Sequence, residues 1–102
     1  MKTVIVRYVT KPDHSDENEA LVRAVFNELA DSNPDGLRYA SFRAADGVTF
    51  FHLAMIETED GSNPLTATAA FKRFQSELRD RCDEPPTATE LTRVGSYRLT
   101  DA

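Results

Sequence analysis

The chain has 102 residues, 40% of them hydrophobic and 28% charged, the makeup of one globular domain over residues 1–102 with a single core of two packed layers. Its 17 acidic against 12 basic side chains leave a formal net charge of −5, which argues against nucleic acid or an anionic membrane as a partner, since either demands a basic stripe. One cysteine can form neither an internal disulfide nor a thiolate metal site and suits a reducing cytoplasm, and no apolar run is long enough for a signal peptide or a membrane span.

Residues 4–9, Val-Ile-Val-Arg-Tyr-Val, are β-branched and aromatic and predict a first strand that Pro12 ends. Val4, Val6 and Tyr8 share one face of it; Ile5, Arg7 and Val9 share the other. The acidic run Asp13, Asp16, Glu17 and Glu19 suits the positive end of a helix, with Asp13 or Ser15 as its cap. Leu21, Val22, Val25, Phe26 and Leu29 then recur at helical spacing, and Ser32-Asn33-Pro34-Asp35-Gly36 stops the helix. His14 sits in the acidic first turn with no second ligand four residues on, the position of an exposed histidine rather than a metal ligand.

Residues 37–43 predict the second strand, with Leu37, Tyr39, Ser41 and Arg43 on one face and Arg38, Ala40 and Phe42 on the other. Asp46-Gly47 turns it back as a hairpin into residues 48–57, V-T-F-F-H-L-A-M-I-E. Alternation is missing there, as it is in a strand covered on both sides. Phe51, Leu53 and Met55 are expected under the helices, and Phe50, His52, Ala54 and Ile56 on the opposite face.

A second helix is expected from Pro64, capped by Ser62 or Asn63, with Leu65, Ala67, Phe71, Phe74, Leu78 and Cys82 as its apolar stripe. Arg79 and Arg81 complement its C-terminal end, and Asp83-Glu84-Pro85-Pro86 stops it. Residues 87–99 read as a fourth strand, bent at Gly95, and residues 100–102 as a fraying end.

The order is βαββαβ, a ferredoxin-like α+β fold: a four-stranded antiparallel sheet in the order 4-1-3-2 with two helices on one face. Two helices cover only that face. The other, with Ile5, Val9, Phe50, Ala54 and Ile56, is too apolar to leave in water. A second copy packed through a two-fold axis would cover it, so a homodimer through the sheet face is expected.

Length, element order, Gly36-Leu37-x-Tyr39 entering the second strand and Ala70-Phe71 in the second helix make the chain similar to the dimeric α+β barrel superfamily. Within that group it resembles the antibiotic-biosynthesis-monooxygenase-like domains, over essentially its whole length. The resemblance implies two sheets closing into a dimeric barrel, with a pocket between sheet and helices or inside the barrel. It also implies activities such as cofactor-independent oxygenation of aromatic polyketides or quinols, or haem degradation. The sequence departs from the haem-degrading branch: it has no tryptophan, Phe74 stands where that branch carries a histidine, and the first strand has no asparagine. Haem is disfavoured, and no cofactor is expected.

Among candidate site residues, His52 is the ionisable group of the most buried strand. It suits a general base taking a proton from a phenol or quinol; the competing reading is a histidine hydrogen-bonded within a dimer interface. Arg7, Tyr39, Ser41 and Arg43 are expected on the face of His52, joined by Arg93 and Tyr97 of the fourth strand, a set that fits an anionic planar ligand. The competing reading pairs Arg7 with a carboxylate across the dimer and leaves Tyr39 as interface. Cys82, at a helix end and on an apolar stripe, is expected to be structural. No phosphate-binding glycine loop, zinc spacing or nucleophile elbow is present. The functional expectation is a small homodimeric protein that binds an aromatic or quinol-like molecule as a cofactor-free monooxygenase. The alternatives are a non-catalytic binding or dimerisation module, and isomerase or cyclase chemistry that needs no oxygen.

Overall fold

The computed structural model describes residues 1–99; the fraying expected of residues 100–102 lies outside the described residues. Strand β1 (Lys2–Thr10) leads through a 3-10 turn (Pro12–His14) into helix α1 (Ser15–Ser32). The hairpin of β2 (Leu37–Arg43) and β3 (Thr49–Ile56) follows, then a 3-10 turn (Pro64–Ala67), helix α2 (Ala69–Gln75), another turn (Arg79–Arg81) and β4 (Cys82–Leu91). The sheet is antiparallel in the order β2-β3-β1-β4, the expected βαββαβ arrangement.

Local chemistry explains most of these boundaries. Helix α1 ends on Asn33 in the left-handed conformation, its N–H donating to the Leu29 carbonyl at 2.8 Å. At the hairpin, the Asp46 carboxylate accepts the Val48 and Thr49 backbone N–H groups and the Thr49 hydroxyl at 2.9, 2.9 and 2.6 Å. Helix α2 is capped by Thr68, whose hydroxyl accepts from the Phe71 N–H at 3.2 Å. The Glu28 side chain of α1 also reaches across, accepting from the Ala69 and Ala70 N–H groups at 3.1 and 2.9 Å.

Three expectations are corrected. The apolar stripe from Leu65 to Cys82 is not one helix: Thr68 is extended, and the chain turns out of α2 at Ser76 and Glu77, the latter at φ 65°. Leu65, Phe74, Leu78 and Cys82 are all buried, so the apolar positions point inward from separate turns rather than from one rod. The fourth strand is Cys82–Leu91, not residues 87–99, and it takes in Pro85 and Pro86. It is an edge strand, and its pairing with β1 slips twice, between Arg7 and Val9 and between Val9 and Thr10. At such bulges an edge strand can leave the missing proline N–H unpaired.

The third correction concerns the faces of β3. Tyr8 pairs with Phe50, Val6 with His52 and Val4 with Ala54, so Phe50, His52, Ala54 and Ile56 look toward the helices. Phe51, Leu53 and Met55 share the outward face with Ile5, Arg7 and Val9. Both sides of β3 are apolar, so apolarity could not distinguish them. The outward face, now carrying Ile5, Val9, Ala40, Phe42, Phe51 and Leu53, is still apolar, with Phe42 57% exposed. Among the described residues, no helix is long and apolar enough to cross a membrane.

Candidate functional site

Beneath the helices the sheet presents a chain of hydrogen-bonded polar groups set in an apolar core. The Tyr8 hydroxyl lies 2.8 Å from His52 Nε2. On the other side of the ring, Nδ1 faces the Tyr39 hydroxyl at 2.5 Å and the Ser41 hydroxyl at 2.9 Å. β3 supplies the histidine, β1 one tyrosine, and β2 the second tyrosine and the serine. Antiparallel register brings them together, because Ser41 is the cross-strand partner of His52 and Tyr39 that of Ala54, two residues along.

The network extends to the helix layer. Asn18, fully buried on α1, donates its Nδ2 to the Tyr8 hydroxyl at 2.8 Å and accepts at Oδ1 from Arg81 Nε at 3.2 Å. Arg81, itself buried, donates further to the Ser76 and Phe74 carbonyls at 3.2 and 2.7 Å, and its guanidinium lies over the Phe74 ring. Those carbonyls belong to the end of α2, so Arg81 closes the helix that the sequence alone ran straight through.

Aromatic rings pack around this line. Tyr8 stacks on Phe50 with centroids 5.5 Å apart, His52 lies 5.3 Å from Phe74, and Tyr39 stacks on Phe26 at 5.1 Å. Desolvation sets the protonation states. Burial lowers the His52 pKa from 6.5 to about 4, so the ring is neutral near pH 7. Burial raises Tyr39 to about 12, with the Ser41 hydroxyl pulling the other way, and drives Tyr8 higher still. Both phenols keep their protons.

A cavity of about 540 Å³ lies against this network. Val6, Ala54 and Ile56 wall it on the sheet side and Leu65, Phe71 and Phe74 on the other, with Tyr8, Tyr39 and His52 also lining it. The exposed side chains of Lys2, Glu77, Arg79 and Asp80 stand at its rim. Apolar walls with a few convergent polar groups, at this volume, are the features of a small-molecule site.

The structure brings together His52, Tyr39 and Ser41 and separates the rest of the expected set. Arg7 is on the outward face, where it pairs with Glu84 at 3.2 Å. Arg43 shares the face of His52 but turns to the surface, holding Asp16 and Glu19 at 3.0 Å each. Tyr97 is 80% exposed and belongs to no strand, and Arg93 likewise lies beyond β4, donating to the Met1 sulfur. Tyr8 lies on the helix side, its hydroxyl buried in the network. Cys82 is buried at the start of β4, its thiol pKa raised by that burial. His14 forms a surface pair with Glu17. Asn18 was missed by sequence reasoning, and Arg81 was expected only to complement a helix end. Their signal was there: Asn18 falls on the buried helical spacing with Val22 and Val25, and Arg81 lies beside buried Leu78 and Cys82.

Among the described residues no three His, Cys, Asp or Glu side chains are grouped so as to hold a metal ion. No protein-family model matches the chain, and no curated protein matches it in sequence. Solved structures do. Rv0793 from Mycobacterium tuberculosis superposes with a TM-score of 0.75 at 19% identity, over 93% of this chain and 96% of its own. A provisionally assigned antibiotic biosynthesis monooxygenase from Nitrosomonas europaea gives 0.77 at 18% identity, over 93% and 100%. A variant of SnoaB, a cofactor-independent oxygenase from Streptomyces nogalater, gives 0.69 at 16% identity, over 95% and 96%. The chain therefore has the α+β fold of the antibiotic-biosynthesis-monooxygenase-like proteins.

Proposed function

We propose that this protein binds a planar aromatic molecule bearing a ring oxygen in the cavity beside Tyr39 and oxygenates it without a cofactor. The observation that carries the reading is an apolar-walled cavity into which Tyr39 and His52 are set side by side, with Ser41 behind them on the same ring nitrogen. Apolar walls hold the ring; the polar pair orients its oxygen. An oxygen of a phenol or its keto form gathers negative charge as the ring is activated toward dioxygen, and a preorganised hydroxyl beside it stabilises that charge. The fold shared with a cofactor-independent oxygenase supports the same reading.

Both ring nitrogens of His52 are engaged, one by Tyr8 and one by Tyr39 and Ser41. His52 thus acts through Tyr39 rather than as a free base. The outward sheet face, with Phe42, Phe51 and Leu53, is apolar enough to call for a second copy of the chain as its cover, which would make the protein a homodimer.

The test uses anthrone as probe, with the chelated, cofactor-free protein in an oxygen electrode. Anthrone and dioxygen give anthraquinone and water, the ring supplying all the electrons. The reading expects protein-dependent oxygen uptake with one anthraquinone formed per dioxygen. Binding without uptake would make the protein a non-catalytic binding module, and absence of both would remove the ligand.

A further inference from the structure

From Arg81 through Asn18 and Tyr8 to His52, the donors and acceptors allow one consistent arrangement of hydrogens. Arginine can only donate, so the Asn18 oxygen must face Arg81 Nε and its NH₂ must face Tyr8. The Tyr8 oxygen is then an acceptor from Asn18, and its own hydrogen has to go elsewhere. Among the described residues the remaining partner of this fully buried hydroxyl is His52 Nε2. Were Nε2 to carry the proton instead, Tyr8 would bury a hydroxyl hydrogen with no acceptor, an arrangement folded proteins avoid. Nε2 is therefore the bare nitrogen, and the neutral ring carries its hydrogen on Nδ1.

That hydrogen points at Tyr39 and Ser41. A protonated Nδ1 cannot accept, so the Tyr39 hydrogen is not spent on His52; the Ser41 hydroxyl lowers the Tyr39 pKa, as a donor to the phenol oxygen does, which leaves that hydrogen for the cavity that Tyr39 lines. We propose that Arg81 and Asn18, through Tyr8, hold His52 in its Nδ1–H tautomer, so that Tyr39 turns its hydroxyl hydrogen into the cavity and selects ligands that present an acceptor oxygen there. Arg81, Asn18 and His52 are positioning residues; Tyr39 is the group that touches the ligand. The ligand class narrows from aromatic rings at large to those carrying a carbonyl or ionised phenol oxygen. This ligand half rests on the function proposed above; the tautomer does not.

Asn18→Asp separates the possibilities, since it replaces the NH₂ by an oxygen of nearly the same size beside Arg81. Tyr8 would then donate to the new carboxylate, His52 would carry its hydrogen on Nε2, and the bare Nδ1 would accept a hydrogen bond from the Tyr39 hydroxyl. Ring-nitrogen NMR shifts of ¹⁵N-histidine-labelled protein, without ligand, distinguish a protonated from a bare nitrogen. The expected result is a bare Nε2 in wild type that becomes protonated in Asn18→Asp. A protonated Nε2 in wild type overturns the inference whatever the variant does.

For the ligand half, 1,4-naphthoquinone and naphthalene are titrated into wild type, Asn18→Asp and Tyr39→Phe. Quinone affinity should fall about tenfold in both variants, the worth of one hydrogen bond, with naphthalene affinity unchanged. Equal losses for both rings would overturn the selection of an acceptor oxygen. Failure of both rings to bind wild type would remove the ligand reading of the cavity, while the NMR measurement still decides the tautomer.

Discussion

The Tyr8 hydroxyl meets His52 Nε2 at 2.8 Å although the two residues are not cross-strand partners: Tyr8 lies opposite Phe50, and His52 opposite Val6. The contact is diagonal, across one step of the β1–β3 ladder, within the reach of two aromatic side chains. It joins the helix layer, through Asn18 and Arg81, to the cavity wall at Tyr39.

Burial of His52 makes stability depend on pH in a definite direction. Its folded pKa is lowered by desolvation from 6.5 to about 4. The unfolded chain takes up this proton as pH falls through the ordinary histidine value; the folded chain does not until about pH 4. Stability is therefore lost as pH falls through that window, and this ring accounts for about 2 kcal/mol between about pH 7 and about pH 5. Urea unfolding midpoints of wild type and His52→Asn at those two pH values measure it: the wild-type drop should exceed that of the variant by this amount. Parallel behaviour of the two proteins would show that the ring is not buried neutral.

Arg81→Ala should destabilise the fold by about 3 kcal/mol, since it strips donors from the Asn18 oxygen and from the Phe74 and Ser76 carbonyls at once. Lysine keeps the charge but not the planar fork, so Arg81→Lys should recover less than half of the loss. Chemical denaturation of the three proteins checks the order. Full recovery with lysine would mean that charge, not hydrogen-bond geometry, holds the turn.

Glu28 caps α2 from a different helix, a contact between residues 41 and 42 positions apart. Glu28→Ala should cost about 1 kcal/mol and Glu28→Gln less, because the glutamine retains one acceptor oxygen. Unfolding midpoints near pH 7 measure both.

On the outward face, Leu53 lies opposite Ile5 and Ala40 on the neighbouring strands. Leu53→Asp should weaken self-association by at least about 2 kcal/mol, because it places a charge in an apolar interface. Sedimentation should show wild type at twice the chain mass and the variant shifted toward a single chain. A wild type that sediments as one chain at micromolar concentration would remove the dimer.

Local chemistry made much of this fold legible. The β-branched run of β1, the Asp46-Gly47 turn and the acidic start and apolar stripe of α1 each point to one conformation, and the sheet order follows from joining them. The orientation of β3 was not legible, because Phe50 and Phe51 and their successors make both faces apolar; the cross-strand partner Tyr8 decides between them. Nor was the break in the second helix. Its cause is Arg81, which holds the Phe74 and Ser76 carbonyls from beyond the helix end, and no local propensity encodes a contact made by a returning chain. Within the site, His52 was visible as the ionisable residue of an apolar strand and Tyr39 and Ser41 as its neighbours on one face. Asn18 was passed over because a polar residue on an apolar stripe reads as surface until something is seen to satisfy it, and Arg81 was read only as a charge complementing a helix end.

Ring oxygenation in the cavity between sheet and helices requires that cavity to be open. Ala54→Trp tests it most directly, since Ala54 lines that cavity and an indole there fills it. With anthrone as substrate, wild type should consume oxygen while Ala54→Trp, folded and as resistant to urea, should not. Equal uptake by the two proteins would place the reaction outside this cavity.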